Sequence, residues 1–290
     1  MTLLTAGPNS CAVTGATGYV GRCIISSLQA SGWKMTPWSR RADGNGVRFR
    51  LGEEVSASSL EGMRALVHCA YDFDATSWDD ISAINIRGSA NLLRAAHTAG
   101  VERIVVISSA SAFPGCRSLY GRAKLEIEQL ARGVGAVTIR PGLVWGKELG
   151  GVFHGLVKRA SASRVIPLVA GGSQLQYMLH EADLSTFVLR ALDGGVAVTD
   201  PVLLAHDTGW TLRQLIDSLA IARGRRPIFV SVPWRAAWLG LRSLELCGVP
   251  TPFRSDSLLG LVYQNQLPDW TLARELHAAC RPFDAQSTVA

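Results

Sequence analysis

Thr14-Gly15-Ala16-Thr17-Gly18-Tyr19-Val20-Gly21 is the most informative stretch of the chain. It follows an apolar run, Cys11–Thr14, and opens a segment of helical periodicity, Gly18–Ala30. Its glycines stand in GxxGxxG spacing. One permits a tight turn, one lets backbone approach a pyrophosphate, and one allows close helix–strand contact. The start of the helix then presents N–H groups to the phosphates. In this strand–turn–helix setting the pattern predicts a dinucleotide-binding turn.

Outward from the turn, apolar runs recur at Trp33–Trp38, Val47–Leu51, Ala65–Cys69, Arg103–Ile107 and Ala136–Ile139. Helix-like segments, among them Ile81–Ala99 and Leu119–Arg132, lie between several of them. Short strands without polar alternation, separated by helices, predict an α/β fold with a doubly wound parallel sheet covered on both faces. Gly32 and Gly100 sit where helices should stop. After about residue 148 the rhythm changes. Strand-like Val165–Val169 and Val202–Ala205 mix with helices near 181–193, 211–222 and 233–247. The expected division is a dinucleotide-binding domain over 1–148, with strand and helix returns near 176–206. A smaller interwoven substrate lobe takes 149–175 and 207–290.

The chain has 290 residues, 48% hydrophobic and 18% charged, which excludes disordered and fibrous classes. Of its basic residues 25 are Arg and 4 are Lys, and the net charge is +6. The Arg are scattered, with no long basic run, so an anionic small molecule is expected and nucleic acid is not. Six Cys without CxxC spacing and six His without HxH or HxxxH spacing predict no disulfide framework and no metal site. A reducing cytoplasm follows as the expected compartment. The start, MTLLTAGPNS, lacks the charged and apolar regions of a secretory leader, and no run reaches membrane-spanning length. Pro233–Cys247 carries Trp234, Trp238, Leu239, Leu241 and Leu244 with Arg235 and Arg242. This stripe can be read as a membrane-surface helix or as a lobe helix lining an apolar pocket. The second is expected, with no membrane partner, because such stripes usually face a core.

At the end of the second strand, folds that use NAD place an acidic group for the ribose 2′-hydroxyl. Here the segment reads Trp38-Ser39-Arg40-Arg41, and Asp43 comes only after the Arg pair. Two guanidiniums suit the forked binding of a 2′-phosphate. NADP is therefore the expected cofactor, with NAD as the alternative.

After the fifth strand comes Ile107-Ser108-Ser109-Ala110-Ser111-Ala112-Phe113, then Tyr120-Gly121-Arg122-Ala123-Lys124. Tyr and Lys at i and i+4 share one helix face. With 5 Tyr and 4 Lys in the chain, such a pair arises by chance about 0.07 times. A free phenol has a pKa near 10, too high for a base at neutral pH. A nearby ammonium lowers it, and a Ser hydroxyl can steady charge on the reacting oxygen.

TGATGYVG, His68-Cys69-Ala70, Asn85 with Arg87-Gly88-Ser89-Ala90-Asn91, ISSAS, YGRAK and Arg140-Pro141-Gly142-Leu143-Val144-Trp145-Gly146 together resemble the short-chain dehydrogenase/reductase superfamily. The nearest branch is the extended, NAD-dependent epimerase/dehydratase-like one. The resemblance implies a Rossmann-type sheet. It makes Ser109 the catalytic hydroxyl, Tyr120 the general acid/base and Lys124 the residue that holds the nicotinamide ribose and tunes Tyr120. A slip of register would give the Ser109 role to Ser111, which otherwise faces substrate. Gly15, Thr17, Gly18, Tyr19, Val20 and Gly21 would hold the pyrophosphate. Ala70 would line the cofactor track, Pro141 and Gly142 would flank the nicotinamide, and Glu53 would replace the usual adenine-binding Asp. Ser173–Leu184 looks like the strand and helix start that closes the family's sugar pocket, where Gln176 stands in place of a common Arg, with His180 beside it. Helices 81–99 and 119–132 would pair across a homodimer.

The implied function is an NAD(P)-dependent enzyme of the epimerase/dehydratase type, moving a hydride at a carbinol or ketone carbon of a nucleotide-sugar-like substrate. Two alternatives stay open. One is an NADPH-dependent reductase of a small hydrophobic ketone or lactone, for which the short Ser109–Tyr120 interval and Gln176 leave room. The other is a non-catalytic dinucleotide-binding sensor or scaffold, against which the intact Ser–Tyr–Lys set argues.

Overall fold

β1 (Ser10–Thr14) is buried at every position and leads through the glycine turn into α1 (Tyr19–Ala30). A computed structural model describes residues 9–41, 44–147, 150–162, 164–249, 251 and 253–289. The chain continues through β2 (Lys34–Ser39), β3 (Val47–Arg48) and β4 (Ala65–His68). Next come α2 (Trp78–Ile81), a π-turn over Ser82–Ile86, α3 (Arg87–Thr98), β5 (Arg103–Ile107), α4 (Leu119–Gly133) and β6 (Val137–Pro141). The order across the sheet is β3–β2–β1–β4–β5–β6, and every pairing is parallel. The order reverses between β1 and β4, and ligands of such sheets bind outside the strands' carboxyl ends at that point.

Period-two geometry explains why these strands show no polar alternation. Cys11, Val13, Val67, Val105 and Ile107 face Ile24 and Leu28 of α1, while Ala12, Leu66, Ile104 and Val106 face Leu92, Leu93 and Ala96 of α3 and Ile127 of α4. Both faces are dry, so both residue sets are apolar. β3 ends earlier than the apolar run predicts. Phe49 still donates its N–H to Ser39 O of β2 (2.8 Å), and Phe49 and Leu51 both stay buried in the core.

The second half contributes β7 (Leu143–Trp145), α5 (Gly151–Ala162), β8 (Val165–Val169), β9 (Leu175–His180), α6 (Glu181–Leu192) and β10 (Val202–Leu204). β10 joins the main sheet beside β6, and α6 packs beside α1 on the first face. The expected boundary at 148 lies outside the described residues. β11 (Gly209–Thr211) and β7 flank β9 in a three-stranded sheet. α7 (Leu212–Ala222) and β12 (Ile228–Val232) follow, with β12 parallel to β8. Phe153, Val157, Ile166, Met178, Leu215, Leu219 and Phe283 form this lobe's own core.

α8 (Trp234–Leu246) corrects a sequence expectation. None of its residues is fully buried. Trp234, Trp238 and Leu241 are half-covered on the side nearest α9 (Ser255–Val262), whereas Leu239 and Leu246 project outward. The stripe therefore does not face a core. α10 (Thr271–Glu275) completes the helices.

Candidate active site

Gly15 has φ +66, and a Cβ there would stand 2.9 Å from the Ala70 main-chain nitrogen. A Cβ on Gly21 would stand 2.3 Å from the Gly15 carbonyl oxygen. Close backbone approach thus requires glycine at both positions. Gly18 opens α1 without a side-chain cap, so backbone rather than side chain lines the turn. This cradle fits the pyrophosphate of a dinucleotide, bound at a helix start. Its far wall is held by a buried chain of hydrogen bonds. The Ala70 N–H donates to Thr14 Oγ1 (3.3 Å), Thr14 pairs with His68 Nδ1 (2.7 Å), and His68 Nε2 pairs with Ser89 (2.9 Å). Burial, helped by the Lys124 charge, lowers His68 to about 3, so the imidazole is neutral.

The other predicted cofactor residues spread around this turn. Ala16 donates its N–H to Trp38 O (3.3 Å), which brings the end of β2 beside the cradle. Arg40 is exposed there, 3.5 Å from the Asp74 carboxylate, and Arg41 is exposed next to it. Asp43 lies outside the described residues. Thr17 is exposed and Val20 half-buried against the core. The Tyr19 phenol donates to Glu181 Oε2 (2.8 Å). Glu53 is engaged by Arg48 at 3.1 Å.

At the carboxyl end of β5, Ser108 donates its N–H to Ile139 O (2.7 Å) and Ala110 donates to Pro141 O (3.0 Å). Ser109 is thereby set beside Pro141 and Gly142. The Ser118 hydroxyl caps α4, accepting the Gly121 N–H at 3.1 Å. On that helix Tyr120, Lys124 and Glu128 recur every four residues and share one face. Lys124 Nζ, buried, donates to Ile107 O (2.8 Å). Burial lowers Lys124 to about 8, while Cys69 and Glu128 pull it back up. Tyr120 is pushed up to about 12 by burial, opposed by a hydrogen bond with the Ser109 side chain. Ser109 hydrogen-bonds the phenol through its side chain, and Ser111 donates its N–H to Ser109 Oγ (3.1 Å).

Sequence reasoning missed several residues of this cluster. Glu128 is buried and accepts from Ser108 Oγ and from Arg140 Nε (2.8 Å) and Nη2 (2.6 Å). Its place four residues after Lys124 was a usable signal. Tyr71, next to Ala70, lies edge-on to the Tyr120 ring with centroids 4.9 Å apart. Lys124 Nζ stands 5.2 Å from the Tyr71 ring centroid. Phe73 stacks on Tyr120 at 5.8 Å. The π-turn fixes the loop that carries these aromatics, since buried Asn85 bonds both the N–H (2.7 Å) and C=O (3.0 Å) of Asp72. π-turns are frequent at functional sites. Asp256 of α9 binds the first N–H groups of α4, and nothing in the local sequence announces it.

Gln176 and His180 lie on β9, as predicted. The Gln176 amide is taken up by Leu175 O (2.9 Å) and Gln264 Oε1 (3.0 Å). His180 caps α6, accepting the Ala182 N–H at 3.1 Å, and sits edge-on to Trp145. Among the described residues no cluster of His, Cys, Asp and Glu could hold a metal, and no helix is long and apolar enough to cross a membrane.

Comparison with known proteins gives the same architecture. A ceramide reductase of Caulobacter vibrioides is 26% identical over 238 residues, covering 77% of this chain and 73% of that protein. A 4-hydroxy-2-methyl-3-oxo-4-farnesyl-3,4-dihydroquinoline-1-oxide ketoreductase of Stigmatella aurantiaca is 25% identical over 257 residues, covering 78% and 76%. Among solved structures, the UDP-glucose 4-epimerase of Thermotoga maritima matches with a TM-score of 0.72 at 19% identity, over 97% of each chain. The model of the NAD dependent epimerase/dehydratase family matches residues 11–202, more than half of the sequence, and the chain belongs to that family.

Proposed function

We propose that this family member is an NADP-dependent reductase or dehydrogenase of a lipophilic carbonyl/carbinol pair. The observation that carries this reading is the aromatic wall, Tyr71 and Phe73, packed against the Tyr120 ring. Such a wall receives hydrocarbon better than a sugar hydroxyl array. The Gln176 amide is spent on Gln264, which leaves that position without a free donor for a diphosphate. The names of the ceramide and farnesyl-quinoline relatives point to the same substrate class. Exposed Arg40 and Arg41 beside the cradle support the 2′-phosphate of NADP.

A bound nicotinamide supplies or accepts the hydride. Tyr120 passes the proton to or from the substrate oxygen, and Ser109 hydrogen-bonds that oxygen. Burial holds the phenol near 12 and its hydrogen bond with Ser109 opposes this; the Lys124 ammonium, 5.9 Å from the Tyr120 ring centroid, is placed to favour the phenolate form. The reading includes a reducing compartment, supported by six cysteines that form no disulfide among the described residues, and a homodimer, supported by the groove that Trp78, Ser82, Ile86 and Glu126 line beside α4.

The test is NADPH oxidation by the purified protein with a long-chain 3-ketoamide and, separately, conversion of UDP-glucose. Turnover of the ketoamide that falls at least about 100-fold in Tyr120→Phe is expected. Conversion of UDP-glucose alone would overturn the substrate class. Unchanged turnover in Tyr120→Phe would overturn the role of the phenol.

A further inference from the structure

The lobe carries an apolar and basic surface that the reaction does not use. β8 and β12 pair in parallel with Ile228 opposite Val165 and Val230 opposite Pro167. One face of this ribbon is buried through Ile166 and Leu168, while Val165, Ile228 and Val230 are about half exposed on the other. α8 follows directly. On its outer side Arg235, Leu239, Arg242 and Leu246 recur at spacings of four, three and four residues, a single helical stripe. Leu239 is 59% exposed and Leu246 73%.

Basic residues predominate around this surface; Glu245 is the acidic residue of α8 and stands 3.6 Å from Arg242. No acidic residue stands between Asp217 and Glu245, a stretch that holds Arg223, Arg225, Arg226, Arg235 and Arg242. None stands between Glu148 and Glu181, where Lys158, Arg159 and Arg164 lie. Strand pairing of β8 with β12 brings the two stretches together. Arg164, Arg225, Arg226 and Arg235 are exposed and form no ion pair among the described residues.

We propose that α8 and the β8–β12 ribbon form a docking surface for an anionic lipid bilayer. Leu239 and Leu246 enter the interface, and Arg235 and Arg242 lay their stems along it with the guanidiniums at the phosphates. Basic residues add attraction to an anionic leaflet within a Debye length. A second copy of the chain fits poorly, since a twofold contact sets the same patch against itself and Arg against Arg. Nucleic acid would leave the leucines without a partner. This surface is separate from the substrate reading, although α8 rests on α9, the helix that holds the start of the Tyr120 helix.

The test is co-sedimentation of the purified chain with vesicles of phosphatidylcholine alone and of phosphatidylcholine with about one third phosphatidylglycerol, each at low and high salt. Binding at least about tenfold stronger to the anionic vesicles, and weakened by salt, is expected. Leu239→Asn with Leu246→Asn, and separately Arg235→Gln with Arg242→Gln, should each reduce it at least about fivefold. All these positions are exposed, so urea unfolding should be unchanged, which separates loss of docking from loss of fold. No binding, equal binding to both vesicles, or full binding by both variants would overturn the proposal. So would sedimentation velocity showing a dimer that the leucine variant dissociates.

Discussion

Asp256, on α9 of the C-terminal lobe, accepts the main-chain N–H groups of Leu119 (2.7 Å) and Tyr120 (3.3 Å). A lobe residue therefore holds the first turn of the helix that presents the phenol and the lysine. A carboxylate at a helix start satisfies otherwise unpaired donors and meets the positive end of the helix dipole. Asp256→Ala should lower stability by about 1 kcal/mol, the scale of a lost cap, and should reduce kcat more than cofactor affinity. Asp256→Asn, which keeps an acceptor, should recover most of both. Urea titration with steady-state kinetics checks this, and full activity in Asp256→Ala would reject it.

Glu128 sits one turn beyond Lys124, engaged by Arg140 and Ser108. Its charge raises Lys124 against burial, which holds the amine at about 8. Activity that needs the ammonium should fall as pH rises through that value. Glu128→Gln removes the supporting charge, so the alkaline limb of the pH–rate profile should shift to lower pH. Glu128→Ala also strands a half-buried guanidinium and should cost about 3 kcal/mol of stability. An unmoved alkaline limb in Glu128→Gln would show that the lysine does not govern it.

His68 stays neutral in the folded protein down to about pH 3, whereas the unfolded chain protonates it near 6.5. The folded state loses no stability on this account above 6.5. As pH falls from 6.5 toward 3, the unfolded state binds a proton the folded state refuses, and stability drops by up to about 1.4 kcal/mol per pH unit. His68→Gln should flatten that dependence between pH 6 and 4 even though it lowers stability at pH 7. Urea midpoints across the range measure it, and an identical slope in the variant would rule the histidine out.

Arg40 and Arg41 flank the cradle in the open, and among the described residues Arg40 pairs with exposed Asp74 at 3.5 Å. Such a surface pair contributes little to stability, so replacing both arginines by alanine should leave unfolding unchanged. NADP binding should weaken by about 1–3 kcal/mol, as for lost charge-assisted hydrogen bonds, with NAD nearly unaffected. Calorimetric titration with each cofactor distinguishes this from an equal loss for both, which would refute the 2′-phosphate role.

Local features were legible in the residues alone. The glycine turn reads directly because its backbone geometry admits only glycine where Gly15 meets Ala70. The parallel strands read as continuous apolar runs because both faces are buried, and Tyr120 with Lys124 read as a pair because a helix sets i and i+4 together. Contacts between distant segments emerged with the folded chain. Asp256 reaches Tyr120 across 136 residues, Gln176 reaches Gln264 across 88, and no periodicity encodes either meeting. The folded chain also settled which apolar stripes find a partner. α3 and α8 look alike as amphipathic sequences, yet α3 is pressed against the sheet and α8 is not. The pattern of a helix states which face is apolar, and only the path of the remaining chain supplies or withholds the surface that covers it.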